Sequence, residues 1–236
     1  MDVDVRTIAV ELLKAYKKVM KYRDLEKLTG LPAPGLWRYI NKRIRPSHER
    51  AAELVEKLLN PTVVEKLLSE RIVEAGKNIY NLSRIIYDIP MLKILSFIAL
   101  REFQKYNITA VATVEVDGIP LGVAVAEVLN AKLVVARRRP EVGVKDYYQT
   151  SYLARDPPAI MHLFLPTTAL GVNDRVLIVD DLLSTGRTSL ALIKLVRMSG
   201  ALTVGLFSII ALGNAWRELI GDSVEKIYVV MNLKGD

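Results

Sequence analysis

Apolar positions recur along the first part of the chain at helical spacing. Over residues 4–20 they include Ile8 and Tyr16 on one side. Gly30 suits the C-terminal end of a helix, and Ser47 suits the N-cap of another. The pattern predicts four or five short helices in the first sixty residues, over residues 4–20, 23–28, 31–41 and 48–59.

The pattern changes after Asn60-Pro61. Residues 61–89 predict a longer helical stretch, a connector or a dimerisation helix, and residues 90–236 alternate between apolar strands and helices. The predicted helices cover residues 90–105, 120–130 and 187–199, and the predicted strands cover residues 108–116, 132–138, 161–166, 175–181, 202–212 and 226–233. A long polar loop is predicted over residues 140–158. Such alternation indicates an α/β domain with a mainly parallel sheet flanked by helices, after a small all-α domain over residues 1–60.

Composition narrows the class of protein. The chain has no cysteine, which excludes disulfides and thiolate metal sites. Its two histidines, His48 and His162, are too few for an all-histidine zinc site. Its most apolar stretch, MLKILSFIAL, is far shorter than the roughly twenty residues that span a bilayer. The acidic start MDVDV does not resemble a signal peptide. We therefore expect a cytoplasmic protein without a membrane partner.

Positive charge is concentrated near the N-terminus. The net charge is +7, and residues 1–60 hold 13 Lys and Arg against 8 Asp and Glu. This asymmetry favours a polyanionic partner for the N-terminal part, although an ordinary solvated basic face has the same signature.

The stretch RVLIVDDLLSTGRTS, residues 175–189, combines an apolar run, two adjacent carboxylates, several hydroxyls and a glycine. A buried strand ends at Asp180-Asp181, at the edge of an open α/β sheet where ligands bind. A helix then begins, and the unpaired N–H groups of its first turn favour a phosphate. Gly186 lets the backbone approach that phosphate, and three hydroxyls lie beside it in the sequence: Ser184, Thr185 and Thr188. The two carboxylates would repel a phosphate but suit a sugar diol or a bridging Mg²⁺ ion. Together these groups predict a site for a ribose 5-phosphate.

The same stretch closely resembles the fingerprint of the type I phosphoribosyltransferases. In VLIVDDLLSTGRT, four apolar residues precede an acidic pair, two apolar residues and Ser-Thr-Gly-x-Thr. The resemblance covers roughly residues 75–236 and implies the type I phosphoribosyltransferase fold. It also implies that residues 180, 181 and 184–188, Arg187 included, bind phosphoribosyl pyrophosphate (PRPP) with Mg²⁺.

Three further segments lie where this family places parts of its site. The turn Glu115, Val116, Asp117 and Gly118 has the place of a pyrophosphate-binding loop, and Arg138 follows the next strand. Residues 140–158 have the place of a mobile loop that closes over the reaction centre. In that loop Ser151-Tyr152 is similar to the Ser-Tyr dipeptide of 6-oxopurine transferases.

The resemblance implies displacement of pyrophosphate from ribose C1 by a nucleobase nitrogen. Catalysis would then depend on positioning and electrostatics, with Asp180 and Asp181 at the ribose and metal. Arg138 and Lys145 would stabilise the leaving group, and Tyr152 would exclude water. Tyr228 and Val229 are the candidates for contact with a purine base. The nucleobase could be adenine or a 6-oxopurine. The fingerprint favours adenine, whereas the Ser-Tyr dipeptide favours a 6-oxopurine.

The N-terminal segment YRDLEKLTGLPAPGLWRYINKRIRPS resembles a helix-turn-helix of the lambda-repressor-like kind. The resemblance implies a first helix from Arg23 and a recognition helix over residues 32–41. The DNA-facing residues would be Ala33, Trp37, Arg38 and Asn41 for bases and Lys42, Arg43 and Arg45 for phosphates. A small helical cap or oligomerisation domain is the alternative.

Together the two parts resemble archaeal and bacterial regulators that join a DNA-binding head to a phosphoribosyltransferase-type body. We therefore expect a homodimer or higher homo-oligomer that binds double-stranded DNA and senses PRPP or a nucleotide, in purine metabolism. An active purine phosphoribosyltransferase is the first alternative, and the sequence leaves turnover open. An RNA-binding regulator of the pyrimidine type is a third interpretation.

Overall fold

The computed structural model of this 236-residue chain describes residues 4–76, 79–155 and 158–235. These residues form two compact units. The helical unit is Met1–Val73 with Leu82–Ile98, and the sheet unit is Glu74–Asn81 with Ala99–Asp236.

Short helices dominate the first hundred residues. In chain order the elements are α1 (Val5–Val19), α2 (Tyr22–Thr29), α3 (Ala33–Ile40), α4 (His48–Leu58), α5 (Pro61–Ser69), β1 (Val73–Gly76), β2 (Ile79–Asn81), α6 (Ser83–Ile86) and α7 (Ile89–Phe103). The predicted ends are confirmed for α2, where Gly30 has a φ of 73°, and for α4, where the Ser47 side chain accepts from the Arg50 N–H at 3.2 Å. The core of the helical unit includes Leu12, Leu25, Leu36 and Leu54, all fully or nearly fully buried.

The helical connector predicted over residues 61–89 is wrong beyond Ser69. Helix α5 ends there, and β1 and β2 form a two-stranded sheet before the single turn of α6. The physical reason lies in the residues of this segment. Val73 and Ile79 are β-branched and favour strands, and Gly76 costs a helix about 1 kcal/mol relative to alanine.

The sheet unit contains a five-stranded parallel sheet in the order β4-β3-β7-β8-β9. Its elements after α7 are β3 (Ala110–Val114), α8 (Gly118–Leu129), β4 (Lys132–Ala136), β5 (Tyr147–Arg155), β6 (Pro158–Pro166), β7 (Arg175–Leu183), α9 (Arg187–Met198), β8 (Leu202–Leu212), α10 (Ala215–Ile220) and β9 (Lys226–Leu233). The predicted parallel α/β architecture is confirmed. Strand β7 is central, and its residues 176–179 are buried because sheet neighbours and helices enclose them.

The long loop predicted over residues 140–158 is wrong in its second half. Residues 147–155 form β5, which pairs antiparallel with β6 outside the five-stranded sheet. The segment alternates β-prone Tyr and Thr side chains, and Tyr148 and Tyr152 pack against the core of the sheet unit. The period of two in YYQTSYLA signals this strand.

In the part of the chain that the structure describes, we find no helix that is both long enough and apolar enough to cross a membrane.

Candidate functional site

The acidic pair lies near the carboxyl end of β7. Asp180 pairs in register with Ser208 of β8, and the strand continues through Leu182 and Leu183. The prediction that the strand ends at Asp181 is thus two residues short, because these leucines still pair with β8. The carboxylates of Asp180 and Asp181 lie close enough together for each to affect the pKa of the other.

Burial makes both carboxylates costly to ionise. It raises the pKa of Asp180 well above its usual range, and the neighbouring Asp181 carboxylate raises it further. Burial also raises the pKa of Asp181, and the carboxylate of Asp117 adds to the effect. Ser189 partly offsets this cost, because its hydroxyl lies 3.2 Å from Asp180 Oδ2 and donates to it.

Mg²⁺ fits this donor set. The ion takes oxygen ligands, keeps several waters, and is commonly held by one or two carboxylates together with ligand phosphates. Asp180 and Asp181 would supply those carboxylate oxygens, and a bound cation would relieve their mutual repulsion. Within the described residues no cluster of three or more His, Cys, Asp or Glu could hold a metal alone. Ligand oxygens and water would therefore complete the coordination, and Mg²⁺ would neutralise charge on the ligand.

The segment after β7 turns at Gly186 into the start of helix α9. Gly186 has a φ of 76°, and α9 begins at Arg187. The φ of Gly186 strains any other residue, and a Cβ atom here would make a tight contact, 3.2 Å from the Cβ of Trp216. The N–H groups of the first turn, which includes Thr188, have no helical acceptors and favour a phosphate.

The loop between β3 and α8 lies at the same edge of the sheet. Strand β3 is the parallel neighbour of both β7 and β4. Glu115 Oε1 accepts from the backbone N–H of Arg138 at 2.6 Å, which ties this loop to the end of β4. The peptide between Glu115 and Val116 is cis, and Gly118 begins α8. Three predicted segments, those after β3, β4 and β7, thus follow neighbouring strands.

The β5–β6 ribbon approaches the start of α9. The guanidinium of Arg187 donates to the Leu153 carbonyl at 3.0 Å. Ser151 is exposed, while Tyr152 is half-buried with its ring against the core of the sheet unit. Lys145 lies exposed in the segment before β5. Residues 147–155 therefore border the candidate site as a strand paired with β6, not as the predicted loop.

Tyr228 and Val229 lie on opposite faces of β9. The Tyr228 ring stacks on Phe207, with 6.1 Å between centroids and 9° between planes. Val229 packs against the hydrophobic core that includes α9 residues. One base therefore cannot contact both side chains from the same side of the sheet.

The residues predicted to face DNA form a largely exposed basic surface on the helical unit. Trp37 is 48% exposed, and Ala33 at the start of α3 is half-buried. The Ala33 N–H donates to Glu26 Oε1 at 2.5 Å, so α2 caps the eight-residue α3. The remaining members of this set are all exposed: Arg38, Asn41, Lys42, Arg43 and Arg45.

Sequence reasoning missed Ser189, the hydrogen-bond donor to Asp180. Ser189 is 2% exposed, and it lies one turn before the buried Leu192 and Ile193 of α9. A serine at an apolar position of an amphipathic helix is the signal that identifies it.

The amino-acid sequence matches one protein family and several characterised relatives. Residues 84–229 match the family model described as phosphoribosyl transferase domain. The chain is similar to the xanthine phosphoribosyltransferases of Deinococcus deserti (35% identity, 45% of this chain and 55% of that protein) and Bacillus mycoides (32%, 60% and 76%). It is also similar to a Streptococcus pneumoniae protein named a probable purine biosynthesis transcriptional regulator (34%, 64% and 53%). The chain thus spans about half the length of the first and third of these relatives.

Solved structures agree with the fold. The adenine phosphoribosyltransferase of Rhodothermus marinus superposes with a TM-score of 0.65 at 27% identity, over 74% of this chain and 100% of that one. The Giardia lamblia enzyme in complex with 9-deazaadenine gives 0.63 at 21% identity, over 73% and 97%. With the family match covering more than half of its length, the chain belongs to the phosphoribosyl transferase domain family.

Proposed function

We propose that this protein is a DNA-binding transcriptional regulator of purine metabolism whose phosphoribosyltransferase-type domain binds PRPP or a nucleotide as effector. The observation that carries the proposal is that one chain holds both a buried acidic pair followed by a helix start in the sheet unit and an exposed basic surface in the helical unit. The proposed parts are a helix-turn-helix over residues 1–60, a connector over 61–89 and the ligand-binding domain over 90–236.

The ligand assignment follows from the charges at the sheet edge. The start of α9 favours the 5-phosphate, and the loop after β3 offers a second helix start, at Gly118, for the pyrophosphate. Asp180 and Asp181 would accept hydrogen bonds from the ribose hydroxyls and hold Mg²⁺. Arg138, Lys145, Ser151 and Tyr152 are proposed to complete the PRPP site. Either Tyr228 or Val229 is the proposed base contact, since the two lie on opposite faces of β9.

The DNA assignment follows from the surface around α3. Trp37, Arg38 and Asn41 would face the major groove, and Lys42, Arg43 and Arg45 would contact phosphates. A homodimer would bring two such surfaces to two half-sites, and light scattering would measure its mass. The Streptococcus pneumoniae relative, by its name a probable purine biosynthesis transcriptional regulator, supports this assignment.

Selection of bound duplexes from a random-sequence pool tests the regulator. We expect enrichment of a sequence with two related half-sites, and affinity for the enriched duplex that falls steeply with salt. Unenriched pools after repeated rounds, or binding that does not depend on salt, would reject the DNA assignment.

The second candidate is an active purine phosphoribosyltransferase, which would convert PRPP and a base to a nucleoside monophosphate and pyrophosphate. The intact Asp180-Asp181 pair favours it, as do the xanthine phosphoribosyltransferase relatives. The test is pyrophosphate release from Mg²⁺-PRPP with adenine, hypoxanthine, guanine, xanthine, uracil or orotate. Turnover with one base at an ordinary enzymatic rate of about 1 s⁻¹ or more establishes the enzyme and its substrate. PRPP binding without turnover would reject the enzyme and agree with the regulator.

A further inference from the structure

A pocket in the helical unit lies beside the surface proposed to face DNA. It forms between the first two turns of α1 and the segment that follows α3, and its volume is about 320 Å³, within the range of ligand-binding pockets. Its charged lining residues are Arg6, Glu11, Lys42 and Arg45. Lys42 and Arg45 are already proposed phosphate contacts, so the pocket joins α1 to that part of the surface.

Positive charge prevails in this pocket. Among the described residues that line it, Glu11 is the only carboxylate, and Lys14 Nζ lies 2.7 Å from its Oε1. The three cations therefore favour an anionic ligand. The backbone at the start of α1 adds little, because Asp4 already accepts from the N–H of Arg6 at 3.0 Å and from the N–H of Thr7 at 2.8 Å. The preference for an anion thus comes from side chains.

Asp4 holds one of these cations in the free protein. Arg6 Nε lies 3.1 Å and 3.0 Å from the two carboxylate oxygens of Asp4, and Arg6 Nη2 lies 2.9 Å from Oδ2. Hydrogen bonds from Arg6 hold the pKa of Asp4 below its usual range, and the charge of Arg45 adds to the effect. A guanidinium group binds a carboxylate and a phosphate through the same paired hydrogen bonds. Asp4 therefore takes the place at Arg6 that a phosphate would take.

Lys42 has a backbone conformation that favours glycine. Its φ is 56°, and it lies where α3 ends, with the Arg43 N–H donating to the Arg38 carbonyl at 2.9 Å. The other non-glycine residues at positive φ in the described part of the chain are Asn107 and Asn130, and asparagine tolerates this conformation. A lysine there is strained, and strain of this kind is typical of residues that bind a ligand.

We propose that this pocket binds one phosphate group of the DNA backbone and that Asp4 competes with this phosphate for Arg6. On binding, Arg6 exchanges the carboxylate for the phosphate, and Lys42 and Arg45 supply the remaining positive charge. The exchange costs little, because the ion pair is exposed to solvent over 43% and 34% of its two side chains. The inference rests on the proposed DNA-binding function. It adds α1 to the interface and makes Asp4 an internal competitor of DNA.

Four variants test the pocket. Asp4→Asn removes the competing charge and keeps the helix cap, since asparagine caps a helix as well as aspartate does. Arg6→Gln removes the guanidinium, and a double variant combines the two changes. Lys18→Gln, in the last turn of α1, is the control that removes the same charge outside the pocket. Fluorescence anisotropy of the enriched duplex over a range of salt concentrations measures binding, and thermal unfolding without DNA measures the fold.

The variants should change DNA binding and leave the unfolding temperature nearly unchanged, because the ion pair is exposed and the cap is kept. Arg6→Gln should reduce the steepness of log affinity against log salt by about 0.9, the value for one phosphate contact, and Lys18→Gln should change it much less. The loss of affinity in Arg6→Gln should be equal for duplexes of different sequence, because a phosphate contact carries no sequence information.

Asp4→Asn should have the opposite effect. It should bind the duplex about threefold more tightly or better, because Arg6 no longer has to leave a carboxylate. In the double variant this gain should be at least about twofold smaller, since only the removal of a negative charge then remains.

Three results would overturn the proposal. They are an unchanged salt dependence in Arg6→Gln, an equal change in Lys18→Gln, and a gain from Asp4→Asn that is the same with and without Arg6. If the unmodified protein binds no duplex, the proposed DNA-binding function fails and the pocket fails with it. Normal duplex binding by the unmodified protein and by Arg6→Gln rejects the pocket alone.

Discussion

The sheet unit and the helical unit carry their candidate chemistry in different physical settings. In the sheet unit, Asp180, Asp181 and Gly186 lie at buried or half-buried positions, where an ionised carboxylate is costly and the backbone of residue 186 favours glycine. In the helical unit, Arg38 and Arg43 lie in solvent on a scaffold of ordinary leucine packing. Costly buried groups need a specific reason, whereas exposed cations are compatible with many partners. The residues of the sheet unit therefore indicate their ligand more narrowly than the exposed cations of the helical unit indicate a partner.

The largest expected effect separates the two units directly. Asp180→Asn with Asp181→Asn should weaken Mg²⁺-PRPP binding by at least about 100-fold, because two charge-assisted interactions with ribose and metal are lost. DNA affinity measured without ligand should stay normal, since the helical unit is unchanged. Calorimetry and fluorescence anisotropy measure the two affinities. Unchanged PRPP affinity would remove the ribose assignment.

The next effect should appear in the helical unit alone. Arg38→Ala with Arg43→Ala should weaken duplex binding and lower the slope of log affinity against log salt by about 1, because the phosphate contact of Arg43 contributes about 0.9. The matched control is Lys194→Ala with Arg197→Ala, which removes the same charge from exposed positions of α9. Equal effects of the two pairs would show that net charge, rather than this surface, drives binding.

One glycine in each unit, Gly186 and Gly35, allows the free energy of unfolding to be compared between the units. Gly186→Ala should lower the free energy of unfolding by about 1–2 kcal/mol, because alanine is strained at a φ of 76° and its Cβ would press on Trp216. Gly35→Ala in α3 meets no atom within 4 Å and should raise it by up to about 1 kcal/mol. Denaturant titration measures both. An unchanged or raised free energy of unfolding in Gly186→Ala would contradict the account of Gly186.

The smallest effect concerns an ion pair between β9 and the end of α7. Lys226 Nζ lies 2.7 Å from Glu102 Oε2. Burial raises the pKa of Glu102, but hydrogen bonds from Lys226 and Arg101 outweigh it and hold this pKa below its usual range. Lys226→Met should therefore cost about 1 kcal/mol or less at neutral pH.

The pH dependence of that cost has a definite sign. The contribution of Glu102 is fully present above its unfolded pKa and is lost as pH falls through the lower folded pKa. The difference in stability between the variant and the unmodified protein should thus shrink in acid, below about pH 4. A difference that stays constant from neutral to acid pH would contradict this cause.

Much of the sheet unit could be predicted because its signals are local. Continuous apolar runs predict β7 and β8, and the glycine and hydroxyls after Asp180-Asp181 predict the start of α9. The errors came from weaker signals. Tyr and Thr alternation in β5 is polar enough to resemble a loop, and the residues after Ser69 mix helix and strand formers.

Other features depend on contacts between distant residues. The packing of Trp216 against Gly186 and the unpaired hydroxyl of Thr113 beneath Gly118 arise only when separate elements meet. The opposite faces of Tyr228 and Val229 follow from strand geometry alone, which the sequence already contains.

The central claim is that a ligand at the acidic pair controls DNA binding by the helical unit. Fluorescence anisotropy of a duplex enriched from the random pool, with and without Mg²⁺-PRPP, tests it most directly. The account predicts that PRPP changes the dissociation constant by about fivefold or more, and that Asp180→Asn with Asp181→Asn abolishes the change. An identical dissociation constant with and without PRPP, at concentrations where calorimetry shows the ligand bound, would contradict it.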